Sequence, residues 1–262
     1  MAEISPRGGT TAVLLAAGAG TRLGLGPKAL LPFCGTTLVA HAAGELLRGG
    51  CSQVIVVIGA GADTVRQTSL PSGCTVVVNP RWAEGMGTSF AVGVRCALDP
   101  GFALDLDVAP DTSAAVEPEH GVPGPAAGQG QAARQEVDPA EERAPGQVLV
   151  ALVDQPGMTA RLVARLIAAH LPGRITAAGY RSEYGVRPGS SDEPSALRRG
   201  NPVLFSPRHA GLAARSASGD AGARHYLRIH ADATDLVDCS DLNDGADLDT
   251  PEQLHLLERP TP

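Results

Sequence analysis

Aromatic side chains are scarce in this chain: four Phe, three Tyr and one Trp among 262 residues. A core without rings must be aliphatic, and the supply of Ala, Val and Leu suits a parallel sheet covered by helices on both faces. Cysteine is equally uninformative as a scaffold. Cys34, Cys51, Cys74, Cys96 and Cys239 are odd in number and contain no CxxC pair, which argues against a disulfide framework or a cysteine zinc site and for reduced thiols. No apolar run approaches the length of a membrane span, and the N-terminal MAEISPRGG lacks an apolar signal region. The seven histidines form no triad-like spacing with Ser or Cys, so nucleophilic hydrolase chemistry has no support. The expectation is a soluble cytoplasmic protein.

The net charge of −7 is local. Of 28 acids and 21 bases, residues 99–147 hold ten acids and two bases, leaving 18 and 19 elsewhere. The remainder is nearly neutral, and neither a nucleic acid nor a membrane is expected as partner. The acidic segment is also rich in Pro, Gly and Ala (GVPGPAAGQGQAARQ) and lacks periodicity. It reads as a disordered or loosely ordered insertion that interrupts a single domain spanning 1–262, with a functional lid as the alternative. A shorter irregular stretch covers 181–200.

Elsewhere strands and helices alternate. Apolar runs predict strands at 12–16, 54–58, 74–78, 148–153, 174–179 and 202–205. Helices are predicted at 37–48, closed by Gly49-Gly50, at 86–98, and at 159–170 with Thr159 as N-cap. Repeated βα units of this length imply an α/β fold with a doubly wound, mostly parallel sheet, in which ligands sit beyond the carboxyl ends of the strands.

The first strand runs into Gly18-Ala19-Gly20-Thr21-Arg22-Leu23-Gly24, followed by Lys28. The dinucleotide pattern GxGxxG fails at Leu23, and the Walker pattern fails because Ala29 follows Lys28. What remains is a glycine loop whose amides can approach phosphates, with Arg22 and Lys28 supplying charge; a plain strand-to-helix turn with surface bases is the alternative. Asp154 ends an apolar strand in VALVDQPGMT and suits a hard divalent cation that also touches phosphate, or else caps the next helix. Near the C-terminus Thr250 reads as an N-cap with Pro251 at N1, leaving Asp249 as a second metal ligand or a solvated acid. Asn79 and Ser89 follow the third strand and could hydrogen-bond a base or ribose, or belong to an ordinary loop. In GDAGAR, Asp220 is expected to N-cap a helix carrying Tyr226, Leu227 and Ile229, with Arg224 facing a second anionic substrate or solvent.

Taken in order, LLAAGAGTRLGLGPKALLP, NPRWAEGMGTSF, LVDQPGMT, GNPVLF, GDAGAR and DLDTPEQL resemble the MobA-like nucleotidyltransferase family, most closely its molybdenum cofactor cytidylyltransferase branch. The resemblance covers 11–98 and 148–257 and implies a Rossmann-like nucleotidyltransferase fold. It assigns Ala16, Ala17, Gly18 and Gly20 to the nucleotide loop, Arg22 and Lys28 to the phosphates, and Asn79 and Ser89 to holding the nucleotide. It assigns Asp154 and Asp249 to Mg2+. The implied reaction moves CMP from CTP to the phosphate of molybdopterin and releases pyrophosphate, with a molybdoenzyme receiving the cofactor. Ala16-Ala17-Gly18 and Gln155 favour the cytidylyl over the guanylyl branch. Two features depart from the pattern: Gly200-Asn201-Pro202 stands where the family has Gly-His-Pro, and 181–200 is longer than expected. The chain also resembles actinobacterial members labelled nicotine blue oxidoreductase, which share LLAAGAG, NPxWAEGM and GDAGAR. That similarity implies an alternative, NAD(P)H-dependent reduction of a quinone-like dye on the same scaffold.

Overall fold

The computed structural model describes residues 9–99, 102, 146–181 and 197–258. The expected insertion at 99–147 lies outside these residues apart from Asp99, Phe102, Gly146 and Gln147, as does 182–196 of the second irregular stretch.

The chain opens with β1 (Thr10–Ala16), a short ribbon of β2 (Pro32–Phe33) and β3 (Thr36–Thr37), and α1 (Leu38–Arg48). It continues through β4 (Cys51–Ile58), α2 (Ala62–Arg66), β5 (Cys74–Val78), α3 (Met86–Leu98) and β6 (Val148–Leu152). The last part comprises α4 (Ala160–Ala169), β7 (Ile175–Arg181), β8 (Leu197–Phe205), α5 (Pro207–Ser216), α6 (Arg224–Ile229) and β9 (Thr234–Asp238). Seven strands form one sheet in the order β5-β4-β1-β6-β8-β7-β9. All of these run the same way except β8, which is antiparallel to both β6 and β7. The protein is an α/β fold with a mostly parallel sheet.

β1 lies between β4 and β6, and its seven residues TTAVLLA are all buried. Its alternate residues feed two separate cores. Ala12, Leu14 and Ala16 pack with Leu38, Val39 and Leu46 of α1 and Val163 of α4. Val13 and Leu15 face Phe90 and Val94 of α3 with Ala210 and Ala213 of α5. Each fully buried Val or Leu contributes about 1.5–3 kcal/mol, so aliphatic burial on both faces holds the sheet in place of aromatic rings.

Helix ends follow local chemistry. Thr37 and Thr159 cap α1 and α4 through their side chains, accepting from Ala40 N and Leu162 N. A second device was not visible in the sequence: buried Glu45 of α1 accepts from Ala160 N, placing a carboxylate at the positive end of α4. Strands differ more from expectation. β1, β4 and β8 begin earlier than their apolar runs, at Thr10, Cys51 and Leu197, because ladder hydrogen bonds hold residues that hydropathy does not mark. Thus 197–200, expected to be irregular, belongs to β8.

The chain moves outward from β1 to β4 and β5, then returns to place β6 on the other side of β1. This reversal opens a crevice at the carboxyl ends of β1 and β6. The glycine loop and Asp154 follow those two strands. Among the described residues no helix is long and apolar enough to cross a membrane.

Gly93 lets α3 lie close on the sheet: a Cβ there would overlap Val13 Cγ1 and lie 2.8 Å from Val57 Cγ2. Gly93→Ala is expected to destabilise the fold by about 1–3 kcal/mol through overpacking. Urea unfolding measures this, and an unchanged midpoint would contradict the packing described.

Candidate functional site

The loop after β1 is shaped by its own glycines. Gly20 adopts φ +65°, and a Cβ there would strike the carbonyl oxygen of Gly26, so the loop doubles back onto itself. The Gly20 carbonyl accepts from Leu23 N and Gly24 N, both at 3.1 Å. Buried Leu23 anchors the turn in the core. Gly18 differs: nothing lies within 4 Å of a Cβ placed there. Its lack of a side chain answers no crowding within the protein and leaves backbone open towards the crevice.

Lys28 opens a 3-10 helical turn, Lys28–Leu30. Its Nζ donates to Asp154 Oδ2 at 2.9 Å and to Asp249 Oδ1 at 2.6 Å. Burial works against the charged ammonium, but attraction to Asp154 and hydrogen bonds to both acids outweigh it and raise the Lys28 pKa. The two carboxylates are tied together by backbone as well, since Leu248 N donates to the Asp154 carbonyl at 2.8 Å. Gln253 fixes Asp249 from the other side, accepting from its backbone N and from Thr250 N. This is a capping box on the 3-10 helix Pro251–Leu257, with Thr250 at N-cap and Pro251 in the first turn. Asp154 does not cap α4; Thr159 does. Asp247 stands beside the pair and accepts from Gln155 Nε2 at 2.7 Å. Burial raises its pKa, the Gln155 hydrogen bond opposes this, and the charges of Asp154 and Asp249 add to the rise.

Two cavities meet here. The first, about 460 Å³, is lined by Ala17, Gly18, Gly20, Arg22, Lys28, Ser89, Asp154 and Asp249. The second, about 470 Å³, has an apolar wall of Phe90, Val203, Phe205 and Leu227, with Asn201, Asp247 and Arg224. Asp154, Asp249, Asp220 and Arg22 line both.

Two expected nucleotide residues do not line either cavity. Ala16 is 1% exposed and points into the core with Ala12 and Leu14, since strand alternation sends Leu15 and Ala17 to the crevice instead. Asn79 is also 1% exposed, and its side chain is committed to its own loop. Nδ2 donates to Thr88 Oγ1 and Ser89 Oγ, and Oδ1 accepts from Arg81 N. It is therefore a latch that positions Ser89. Asp220 is not an N-cap either. It lies in a separate turn, Gly219–Ala221, while α6 starts after Ala223 without a side-chain cap. Close packing of Gly87 on the backbone of Ser218 swings this turn against the start of α3, where Asp220 reaches both cavities.

The sequence reading missed Trp82, Met86, Asp220 and Asp247 as lining residues. A single Trp in a chain poor in rings was the available signal; it seats its indole against Gly59, where a Cβ would lie 2.5 Å from Trp82 Cγ.

Residues 12–234 match the MobA-like NTP transferase domain. The chain belongs to this family. It is 39% identical over 247 residues to nicotine blue oxidoreductase of Paenarthrobacter nicotinovorans, spanning 94% of this chain and 95% of that protein. Its fold is shared with a nucleotidyl transferase from Methanothermobacter at a TM-score of 0.60 and 18% identity, covering 95% and 98% of the two chains. Rv0371c of Mycobacterium tuberculosis matches at a TM-score of 0.57 and 25% identity, covering 97% of this chain and 100% of that one.

Because the folded state raises the Lys28 pKa, its contribution to stability is complete below the ordinary lysine value of 10.5 and is lost as pH rises through the folded value. Wild type is expected to exceed Lys28→Met in denaturant stability by a constant margin from pH 7 to about 10, with the margin closing above that. A margin that closes near neutrality would rule out the bridge as drawn.

Proposed function

We propose that this MobA-like protein is a nucleotidyltransferase that moves CMP from CTP onto a phosphate-bearing acceptor, molybdopterin, and releases pyrophosphate. The observation that carries this reading is the meeting of two cavities at Asp154 and Asp249, beneath a glycine loop that carries Arg22 and Lys28. One cavity suits a triphosphate and the other an acceptor, so the reacting atoms would face each other across the shared wall. The CTP preference rests on the Ala16-Ala17-Gly18 spelling and Gln155.

The donor set at the junction fits Mg2+. Two carboxylates converge on one cation, the Lys28 ammonium, and Mg2+ characteristically takes one or two carboxylates plus phosphate oxygens and water. Among the described residues no group of three or more His, Cys, Asp or Glu could hold a metal. Asp154 and Asp249 would hold it, and when bound it would neutralise triphosphate charge and orient the oxygens of the displacement.

The chain's own part is electrostatic. In the reaction an acceptor phosphate oxygen forms a bond to the α-phosphorus while the bond to the bridging oxygen breaks and pyrophosphate leaves. Loop amides around Gly18, with Arg22 and Lys28, offset the charge that builds at the phosphorus. No side-chain base is required, because the attacking phosphate is already ionised at neutral pH.

A second reading is favoured by the 39% identity to nicotine blue oxidoreductase. There the apolar cavity would take a quinone-like dye, and hydride would pass to it from NAD(P)H with a proton from water. Assaying pyrophosphate release from CTP, GTP and ATP beside NAD(P)H oxidation with such a dye separates the two. The transferase reading expects Mg2+-dependent pyrophosphate release with CTP foremost, abolished by chelation. Lys28→Ala should lose about 2–4 kcal/mol of transition-state stabilisation. Dye-dependent NAD(P)H oxidation without pyrophosphate release would replace it with the reductase.

A further inference from the structure

The β7–β8 ladder shifts register between Ala177, opposite Val203, and Gly179, opposite Arg199; because Ala177 and Gly179 share a face of β7, Val203 and Arg199 do so on β8. Phe205, Val203 and Asn201 line the second cavity, and Arg199 lies beyond them on the same strand, outside the lining. β8 runs against β6, with Phe205 opposite Val148 and Val203 opposite Val150. Moving from Val203 to Arg199 therefore leads towards the end of β6 that precedes Asp154. Arg224, the first residue of α6, lines the same cavity.

Arg224 stands on the wall formed by Asn201 and Val203, and Arg199 lies two residues beyond Asn201 on β8. Burial, and then the positive charge of Arg224, hold the Arg199 pKa below the ordinary value. Among the described residues neither has an ion-pair or hydrogen-bond partner, whereas Arg48, Arg81, Arg165, Arg174 and Arg181 each meet a carboxylate. Two adjacent guanidinium groups repel unless an anion joins them, and their donor forks match phosphate oxygens. The acids Asp154, Asp220, Asp247 and Asp249 and the base Arg22 also border this cavity, so both signs of charge line it.

We propose that Arg199 and Arg224 form an anion clamp for the second substrate, taking a phosphate monoester whose apolar body rests on Phe90, Val203, Phe205 and Leu227. The assignment of this anion to the acceptor rests on the nucleotidyltransferase reading. A phosphate brought up to a triphosphate needs its own counter-charge, and the Lys28 ammonium is already shared by Asp154 and Asp249.

Phenyl phosphate is the probe, titrated into the full chain and followed by calorimetry, with CTP titrated separately. Arg199→Gln and Arg224→Gln are each expected to weaken phenyl phosphate binding about tenfold or more and to change CTP affinity less than about twofold. Both variants should unfold at or above the wild-type temperature, because one of two like charges is gone. Arg199→Lys and Arg224→Lys, which keep the charge but lose the fork, should show intermediate affinity and keep the test decisive if a Gln variant does not fold. Phenyl phosphate affinity indifferent to both arginines, or competitive displacement by CTP, overturns the clamp. Arginine-dependent phenyl phosphate binding in a protein that does not bind CTP supports the clamp and removes the transferase reading instead.

Discussion

One ammonium joins three remote parts of the chain. Lys28 reaches Asp154, 126 residues away, and Asp249, 221 residues away. Without that cation, two carboxylates tied through the Leu248–Asp154 backbone hydrogen bond would face each other across a part-buried crevice. Like charges at that range are costly in a medium less polar than water. Partly buried ion pairs add little net stability compared with apolar packing, so the arrangement is better understood as a local concentration of charge than as a source of stability.

The remaining devices deliver those three groups to one place. The reversal of strand order around β1 puts the glycine loop and Asp154 on neighbouring strand ends. Gly20 lets the loop fold onto Gly26 and turn Lys28 inward. Asn79 holds Thr88 and Ser89 at the start of α3, and Gly87 admits the backbone of Ser218 beside it. β8, the one reversed strand of the seven, brings Phe205, Val203 and Asn201 along the second cavity.

Legibility in the sequence followed the range of the interaction. Thr37, Thr159 and Thr250 were readable as caps because an N-cap bonds to a backbone N–H two or three residues on. The strand Cys74–Val78 and the helix Met86–Leu98 have the bounds that periodicity indicated. Asp220 looked like a cap by the same local rule and is not one, since packing against Gly85 and Gly87 removes it to a separate turn. Ala16 was expected in the nucleotide loop and Asn79 to help hold the nucleotide; one faces the core and the other spends its amide on neighbouring hydroxyls. The start of β8 was hidden because Leu197-Arg198-Arg199-Gly200 carries no apolar alternation; its partners on β7 make it a strand.

By itself the sequence determined the α/β class, the order of the elements and the presence of a glycine loop with one Arg and one Lys, because these depend on apolar periodicity and on residues adjacent in the chain. It also marked Asp154 and Asp249 as acids without a local structural task. Tertiary structure alone decided that both acids share the ammonium of Lys28, that Glu45 caps a helix from another element, and that Arg224 reaches the cavity lined by Asn201 and Val203 of β8. The reason is that Coulomb and hydrogen-bond partners are chosen by distance in space, which strand order and close glycine packing set and which spacing along the chain does not record.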